Sequence, residues 1–257
     1  MDINLLVINV GNTRVAVAPF IAGEIRDVAR LPVADKPAID AAVRAAWATL
    51  ASTESPAVAG ASVNPATLEA IEHAVTQITG KKVEWVGRDL DLPMKVLTDP
   101  PTDTGVDRVC NMAAAFEQME KACVVVDAGT AITFSACNQK GEFLGGAIAP
   151  GAQMQLAALH EHTAKLPRVD LTTPQGVFGR STAEAIRHGV YFGIRGMVKE
   201  LLENYATELG SWPELICTGG DAPALFDNWE LVHAISPDLT MYGIALAYTN
   251  HHIKHGT

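Results

Sequence analysis

CVVVDAGTAITFSACNQKGEFLGGAIAPG, residues 123–151, begins with an apolar, β-branched run, Val124-Val125-Val126, that reads as a buried strand. Asp127 stands at the end of that strand, and Gly129 and Thr130 follow. A carboxylate at the mouth of a strand, followed by glycine, suits a cation or a phosphate. The glycine lets backbone N–H groups approach an anion closely, and the hydroxyl adds a donor. Residues 131–136 read as a second strand leaving that turn. Gly141-Glu142 marks the next turn, and Gly145-Gly146 and Pro150-Gly151 are expected to break the chain again. Taken alone, the Asp-x-Gly-Thr turn reads equally as an ordinary hairpin.

A second copy of the pattern shifts the balance. LLVINVGNTRVAVAPFIAGEI occupies residues 5–25, and a shift of 118 residues places Val7 on Val125, Asn9 on Asp127 and Gly11 on Gly129. The same shift places Ala18 on Ala136, Gly23 on Gly141 and Glu24 on Glu142. Strand, phosphate-type turn, strand and second turn therefore recur without a gap. The period is too long for a solenoid. It fits two related domains of similar size, each opening with a hairpin that presents a polar turn. Two such turns facing one another across a cleft suit the two ends of a polyphosphate.

A chain of 257 residues has room for two such domains. Hydrophobic content of 48% with 19% charged residues is that of an ordinary globular protein. The formal net charge is −10, and Lys and Arg form no run. This disfavours nucleic acid and anionic membrane surfaces as partners, while a small anionic ligand needs only a few local cations. Met1-Asp2 opens without a basic region and the apolar run behind it is short, so no signal peptide is expected. No apolar stretch approaches the length of a membrane span. Cys110, Cys123, Cys137 and Cys217 show no C-x-x-C pair and read as reduced, buried thiols of a cytoplasmic protein. The tail histidines His251, His252 and His255 read as a solvated C-terminus rather than a metal site.

Between the hairpins, residues 35–50 and 65–79 read as helices, the second begun by Pro65 and stopped at Gly80. Residues 56–62 and 82–86 are strand candidates, and the proline-rich 92–105 is a loop. Residues 107–120 form a helix that closes the first domain, 1–118, and the second occupies 119–257. There, 153–165 is a helix candidate and 167–180 a loop. Ser181-Thr182-Ala183-Glu184 has the form of a capping box. Ile186, Val190, Ile194, Met197, Leu201 and Tyr205 then recur at helical spacing. Gly189, Gly193 and Gly196 thin one side of that helix for close packing of another helix. Residues 215–218 read as a strand ending in Gly219-Gly220, which is either a simple turn or a close approach to a ligand. Residues 242–248 read as a last, alanine-rich helix.

Gly105-Val106-Asp107-Arg108 sets a carboxylate beside a guanidinium at a loop-to-helix junction. Arg grips a carboxylate at two points, and Asp accepts a proton from a hydroxyl. The other reading is a helix-start Asp favoured by the macrodipole beside a solvated Arg.

Together these segments resemble the type III pantothenate kinases, of the acetate kinase, sugar kinase, heat-shock ATPase and actin superfamily. The resemblance runs the length of the chain. It rests on V-x-N-V-G-N-T at 7–13, G-V-D-R at 105–108, D-A-G-T-A at 127–131 and G-G-A-I-A-P-G at 145–151, followed by S-T-A-E-A-I at 181–186 and T-G-G-D at 218–221. It implies an α/β fold of two ribonuclease H-like (actin-like ATPase) domains related by internal duplication. It implies the ATP-dependent phosphorylation of pantothenate to 4'-phosphopantothenate, the first step of coenzyme A biosynthesis. By the same resemblance, the first turn (Asn9, Gly11, Asn12, Thr13, Arg14) binds the phosphates of ATP with Mg²⁺. Asp107 is the catalytic base, and Gly105, Val106, Arg108 and Thr182 contact pantothenate. Asp127 is the ligand of a monovalent cation, K⁺ or NH₄⁺. Gly129 and Thr130 contact ATP, and Gly219-Gly220 form the adenosine loop. A homodimer with pantothenate at its interface is also implied.

Two positions depart from the family pattern. Asn9 stands where the family carries Asp, keeping an oxygen acceptor but losing the charge. Thr98 stands where many members carry an aromatic residue. Asn9 leaves open a catalytically weak or inactive member that binds nucleotide or pantothenate as a regulator, since the family also contains a transcription accessory factor. A kinase for another small hydroxy acid is a third reading. Intact Asp107, Arg108 and Asp127 favour the enzyme.

Overall fold

The computed structural model describes residues 3–256; Met1, Asp2 and Thr257 lie outside it, and with them the reading of the Met1-Asp2 start. In chain order the elements are β1 (Leu5–Val10), β2 (Arg14–Ile21), β3 (Glu24–Ile25), β4 (Ala29–Pro32), α1 (Lys36–Leu50), β5 (Ala57–Ser62), α2 (Pro65–Thr79), β6 (Val83–Trp85) and α3 (Val106–Met119). There follow β7 (Cys123–Ala128), β8 (Ala131–Cys137), β9 (Phe143–Pro150), α4 (Ala152–Glu161), α5 (Thr182–Leu209), β10 (Glu214–Thr218), α6 (Ala222–Phe226), β11 (Ala234–Ile235) and α7 (Leu239–His255). The chain divides into two units. One runs up to Ala114 and resumes at Asp238; the other is Ala115–Pro237.

Each unit is built on a mixed sheet. The first has the order β3-β2-β1-β5-β6, with β4 also paired to β2, and the second the order β11-β10-β7-β8-β9. In the first, β1 is antiparallel to β2 and parallel to β5, which is parallel to β6. In the second, β7 is antiparallel to β8 and parallel to β10, which is parallel to β11. The two orders are the same order read from opposite ends, as a duplication requires. The burial patterns of β1 and β7 also coincide. In each, only the fifth residue is partly exposed, and that residue is Asn9 in β1 and Asp127 in β7.

The correspondence is not free of gaps. Val10 pairs with Val15, leaving four residues, Gly11 to Arg14, at the tip of the first hairpin. Ala128 pairs with Ile132, leaving only three, Gly129 to Ala131. The closing hydrogen bonds follow suit: the Gly11 amide donates to the Arg14 carbonyl at 2.9 Å, and the Gly129 amide to the Ala131 carbonyl at 3.1 Å. The 118-residue shift thus holds up to the turn and slips by one residue beyond it.

The alternation of β1 explains the layers of the first unit. Leu6, Ile8 and Val10 share a core with Ile39, Val43 and Leu50 of α1 and Ile71 and Val75 of α2. Leu5 and Val7 share one with Cys110 of α3 and Met241, Ile244 and Ala245 of α7. Full burial of a Leu or Ile side chain contributes about 1.5–3 kcal/mol, so neither face of this strand tolerates solvent. In the second unit, Val124, Val126, Ile132 and Phe134 pack with Ile186, Val190, Ile194, Val198 and Leu202 of α5 and with Leu225 and Phe226 of α6.

Four expectations need correction. The division falls inside α3 after Ala114 rather than near 118, and residues from 238 onward belong to the first unit, not the second. The cause is α7. A Cβ added at Gly243 would lie 2.1 Å from the Cys110 carbonyl oxygen, so this helix lies directly against α3. Gly145 and Gly146 do not break the chain but lie within β9. Gly146 has φ +156°, and a Cβ there would lie 1.9 Å from the Phe134 carbonyl oxygen, so the glycine serves close strand contact. The helix expected over 153–165 is Ala152–Glu161. Among the described residues, finally, nothing packs on the glycines of α5: a Cβ at Gly189, Gly193 or Gly196 meets no atom within 4 Å.

Candidate active site

In the first unit the polar tip Gly11 to Arg14 joins β1 to β2, and Asn12, Thr13 and Arg14 are exposed. Asn9 stands just before it, paired with Ala16 on β2 and Ala61 on β5. The tip is tied down on three sides. The Gly11 amide closes onto Arg14, the Val33 amide donates to the Thr13 carbonyl at 3.0 Å, and the Asn64 side-chain amide donates to the Gly11 carbonyl at 3.4 Å. Asn64 is the residue before α2, and its side chain does not cap that helix. It is a positioning residue that the sequence reading did not find. Its only signal was an Asn before Pro65, which reads as a helix start.

Gly105 to Arg108 sits where the proline-rich loop becomes α3. The amides of Arg108 and Val109 donate to the Gly105 carbonyl at 3.1 and 3.3 Å, so Gly105 closes the first turn. Asp107 lies in that turn, as the macrodipole favours, and its Oδ1 accepts from the Arg108 amide at 2.8 Å. All four residues are partly buried. Burial pushes the Asp107 carboxyl above the usual carboxylate range, against the opposing pull of the Arg108 amide and guanidinium. Burial, with the Asp107 charge added, also raises the Cys110 thiol, so that cysteine is inert. Thr98 is half of a hydroxyl pair with Thr104 at 2.5 Å. The departure at position 98 thus fastens the loop to the residue before Gly105.

In the second unit Asp127 lies between Thr133 of β8 and Thr218 of β10, at the end of its strand. The loop after β10 folds back onto it. Gly219 has φ +94°, and a Cβ there would lie 2.5 Å from both Asp127 Oδ1 and the Ala128 carbonyl oxygen. Only glycine brings the backbone this near the carboxylate. The Asp221 amide then donates to the Ala128 carbonyl at 3.0 Å, locking the loop. The Gly151 amide donates to the Thr130 carbonyl at 3.1 Å and fixes the hairpin tip, where Thr130 is exposed, as is Gly220 in its own loop. Asp127, Gly129, Thr130 and Gly219 are therefore brought together. A carboxylate oxygen beside tightly turned backbone is a hard-donor environment, which suits an alkali or alkaline-earth cation. Thr182 opens α5 and is exposed. The capping box behind it is complete: Ser181 Oγ accepts from the Glu184 amide, and a Glu184 carboxylate oxygen accepts from the Ser181 amide, each at 3.2 Å.

The sequence pattern of the type III pantothenate kinases matches residues 5–204. A type III pantothenate kinase of Syntrophotalea carbinolica is 36% identical over 187 residues, which are 73% of this chain and 73% of that protein. Another, from an Anaeromyxobacter species, is 34% identical over 249 residues, 95% of this chain and 98% of that protein. Among solved structures, a Campylobacter jejuni protein described as a Baf family transcriptional activator superposes with a TM-score of 0.63 at 20% identity, covering 95% of this chain and 98% of the other. MreB 5 of Spiroplasma citri superposes with a TM-score of 0.53 at 11% identity, covering 99% of each chain. At such identities these two likenesses speak for the fold alone, an actin-like α/β architecture.

Proposed function

Because the chain belongs to the type III pantothenate kinase family, we propose that it transfers the γ-phosphoryl group of ATP to the primary hydroxyl of pantothenate, with Asp107 as the base that receives the hydroxyl proton. The product is 4'-phosphopantothenate, and the reaction is the first step of coenzyme A biosynthesis. The observation that carries the role of Asp107 is its setting. It is a partly buried carboxylate with a raised proton affinity, fixed on the first turn of α3 beside a guanidinium.

Phosphoryl transfer asks little covalent chemistry of a protein; positioning and charge neutralisation do the work. Arg108 holds the carboxylate of pantothenate, with Gly105 and Val106 shaping that contact and Thr182 supplying a hydroxyl. Asn9, Gly11, Asn12, Thr13 and Arg14 cradle phosphate oxygens with amides and short polar side chains. Gly129 and Thr130 do the same from the second hairpin, and Gly219-Gly220 lie along the adenosine. Mg²⁺ bound with ATP would supply neutralisation of phosphate charge, and Asn9 would offer it a carbonyl oxygen. Asp127 holds K⁺ or NH₄⁺, an assignment supported by the glycine backbone that closes on its carboxylate.

The functional protein is a homodimer in the cytoplasm. The open glycine face of α5, with Phe192 exposed on the same helix, supports the first point. Four buried cysteines, none in a disulfide, support the second. Among the described residues, no helix is long and apolar enough to cross a membrane. The net charge of −10 argues against nucleic acid as a partner. Pantothenate-dependent release of ADP in the presence of Mg²⁺ and K⁺ tests the proposal. ATP hydrolysis indifferent to pantothenate would refute it.

A further inference from the structure

The tail histidines are not the solvated end that composition implies. His251 and His252 are partly buried on α7. His251 and His255, four residues apart, share a face of the helix, and their rings lie 4.5 Å apart between centroids. That face meets Asp91, just beyond the Val86–Leu90 bridge that follows β6. Asp91 Oδ2 lies 3.7 Å from His251 Nδ1 and 3.4 Å from His255 Nε2. One ligand atom from each of the three residues lies within 4.8 Å of the other two.

These separations are those of a metal shell before the metal arrives. With Zn–N and Zn–O distances of about 2.0–2.2 Å and tetrahedral angles, neighbouring ligand atoms stand roughly 3.4 Å apart. Two edges of the triangle already meet that value within a few tenths of an ångström. Two groups compete with an ion for these donors. The Asp91 amide donates to His251 Nδ1 at 3.2 Å, so that lone pair must turn from the amide to the ion. The Lys254 ammonium lies 2.8 Å from Asp91 Oδ2. Its side chain is 68% exposed and swings clear at little cost.

We propose that Asp91, His251 and His255 bind a first-row divalent cation of the zinc type, with water completing the shell. Two imidazoles and a carboxylate select Zn²⁺ or its neighbours over Mg²⁺, which prefers an all-oxygen shell. None of the three residues belongs to the phosphoryl-transfer set. The ion would staple the segment after β6 to α7.

The test uses the full chain, stripped with a chelator and free of ATP, titrated calorimetrically with Zn²⁺ and spectroscopically with Co²⁺. One Zn²⁺ per chain is expected, with intense tetrahedral Co²⁺ bands in the visible. Asp91→Asn and His251→Gln should each weaken binding by at least about tenfold, the scale on which even outer-shell partners act. Lys254→Gln should strengthen it. Zn²⁺ should raise the melting temperature of the native chain but not of Asp91→Asn. Absence of binding to the native chain would overturn the proposal. So would equal binding by native protein and both weakened variants, each shown folded by its circular dichroism.

Discussion

Replacing Asp107 by Asn removes a charge and almost nothing else. The Asn side-chain oxygen can still accept from the Arg108 amide, the contact that Asp107 Oδ1 makes at 2.8 Å. The fold has a reason to tolerate the change. A carboxyl whose folded pKa is raised binds a proton more tightly in the native than in the unfolded state. Stability then falls as pH rises from the unfolded pKa through the higher folded one, and above the folded pKa the native chain bears that cost in full. The Asn variant does not, so its melting temperature at neutral pH should equal or exceed that of the parent. Turnover should move the other way. General-base catalysis contributes about 10²–10⁴-fold, which is roughly 2.7–5.4 kcal/mol of barrier at about 1.36 kcal/mol per tenfold. The assay is ADP release at saturating pantothenate, with KM for ATP measured in parallel. Turnover should drop by that factor while KM for ATP stays within a few-fold. In the native enzyme kcat/KM for pantothenate should fall on the acid side of a pH above the ordinary carboxylate range, and the variant should lack that limb. A variant with near-native turnover, or one that keeps the acid limb, would refute the assignment of the base.

Asn9→Asp should restore a charge at the first hairpin and tighten the apparent Mg²⁺ requirement. Charged hydrogen bonds are worth about 1.5–3 kcal/mol against roughly 0.5–1.5 for neutral ones, so about tenfold is expected in a Mg²⁺ titration at fixed ATP. An unchanged titration means that position 9 does not serve the metal. Asp127→Asn should abolish the difference between rates in KCl and in NaCl while leaving pantothenate binding, read by calorimetry, nearly intact. Persistent K⁺ activation would move the cation elsewhere. Gly243→Ala should destabilise the chain despite the roughly 1 kcal/mol that Ala gains over Gly inside a helix. The new methyl would lie 2.1 Å from the Cys110 carbonyl oxygen, and overpacking costs about 1–3 kcal/mol or more. Urea denaturation measures the sign, and a more stable variant would show that α7 yields.

What was legible in the chain was local or repeated. Pro65 and Gly80 bracket α2 as read, and Ser181 and Glu184 form the capping box they spell. The apolar runs before Asn9 and Asp127 are the central strands of the two sheets. Gly105 to Arg108 stands at a helix start, as its residue types imply. What was illegible depends on partners distant in sequence. Gly145 and Gly146 carry turn chemistry, but the close contact of β8 claims them for a strand. Asn64 looks like a helix cap and serves the Gly11 tip, a partner 53 residues away. The one-residue slip beyond the first hairpin hides because small apolar residues match at either register. Asp91 gives no sign that it meets residues 160 or more positions later.

The return of α7 to the first unit also has a consequence in time. A ribosome completes Ala115–Pro237 as one continuous piece, while the sheet made first still lacks its last layer. Leu5, Val7, Ala59 and Ala61 have their core partners Met241, Ile244 and Ala245 on a helix synthesised well over a hundred residues later. During that interval one face of the earliest strands is greasy and uncovered, the condition under which nascent chains recruit chaperones or aggregate. The half of the molecule that emerges first is therefore the half that matures last, and proteolysis of ribosome-arrested chains should find the second unit protected before the first.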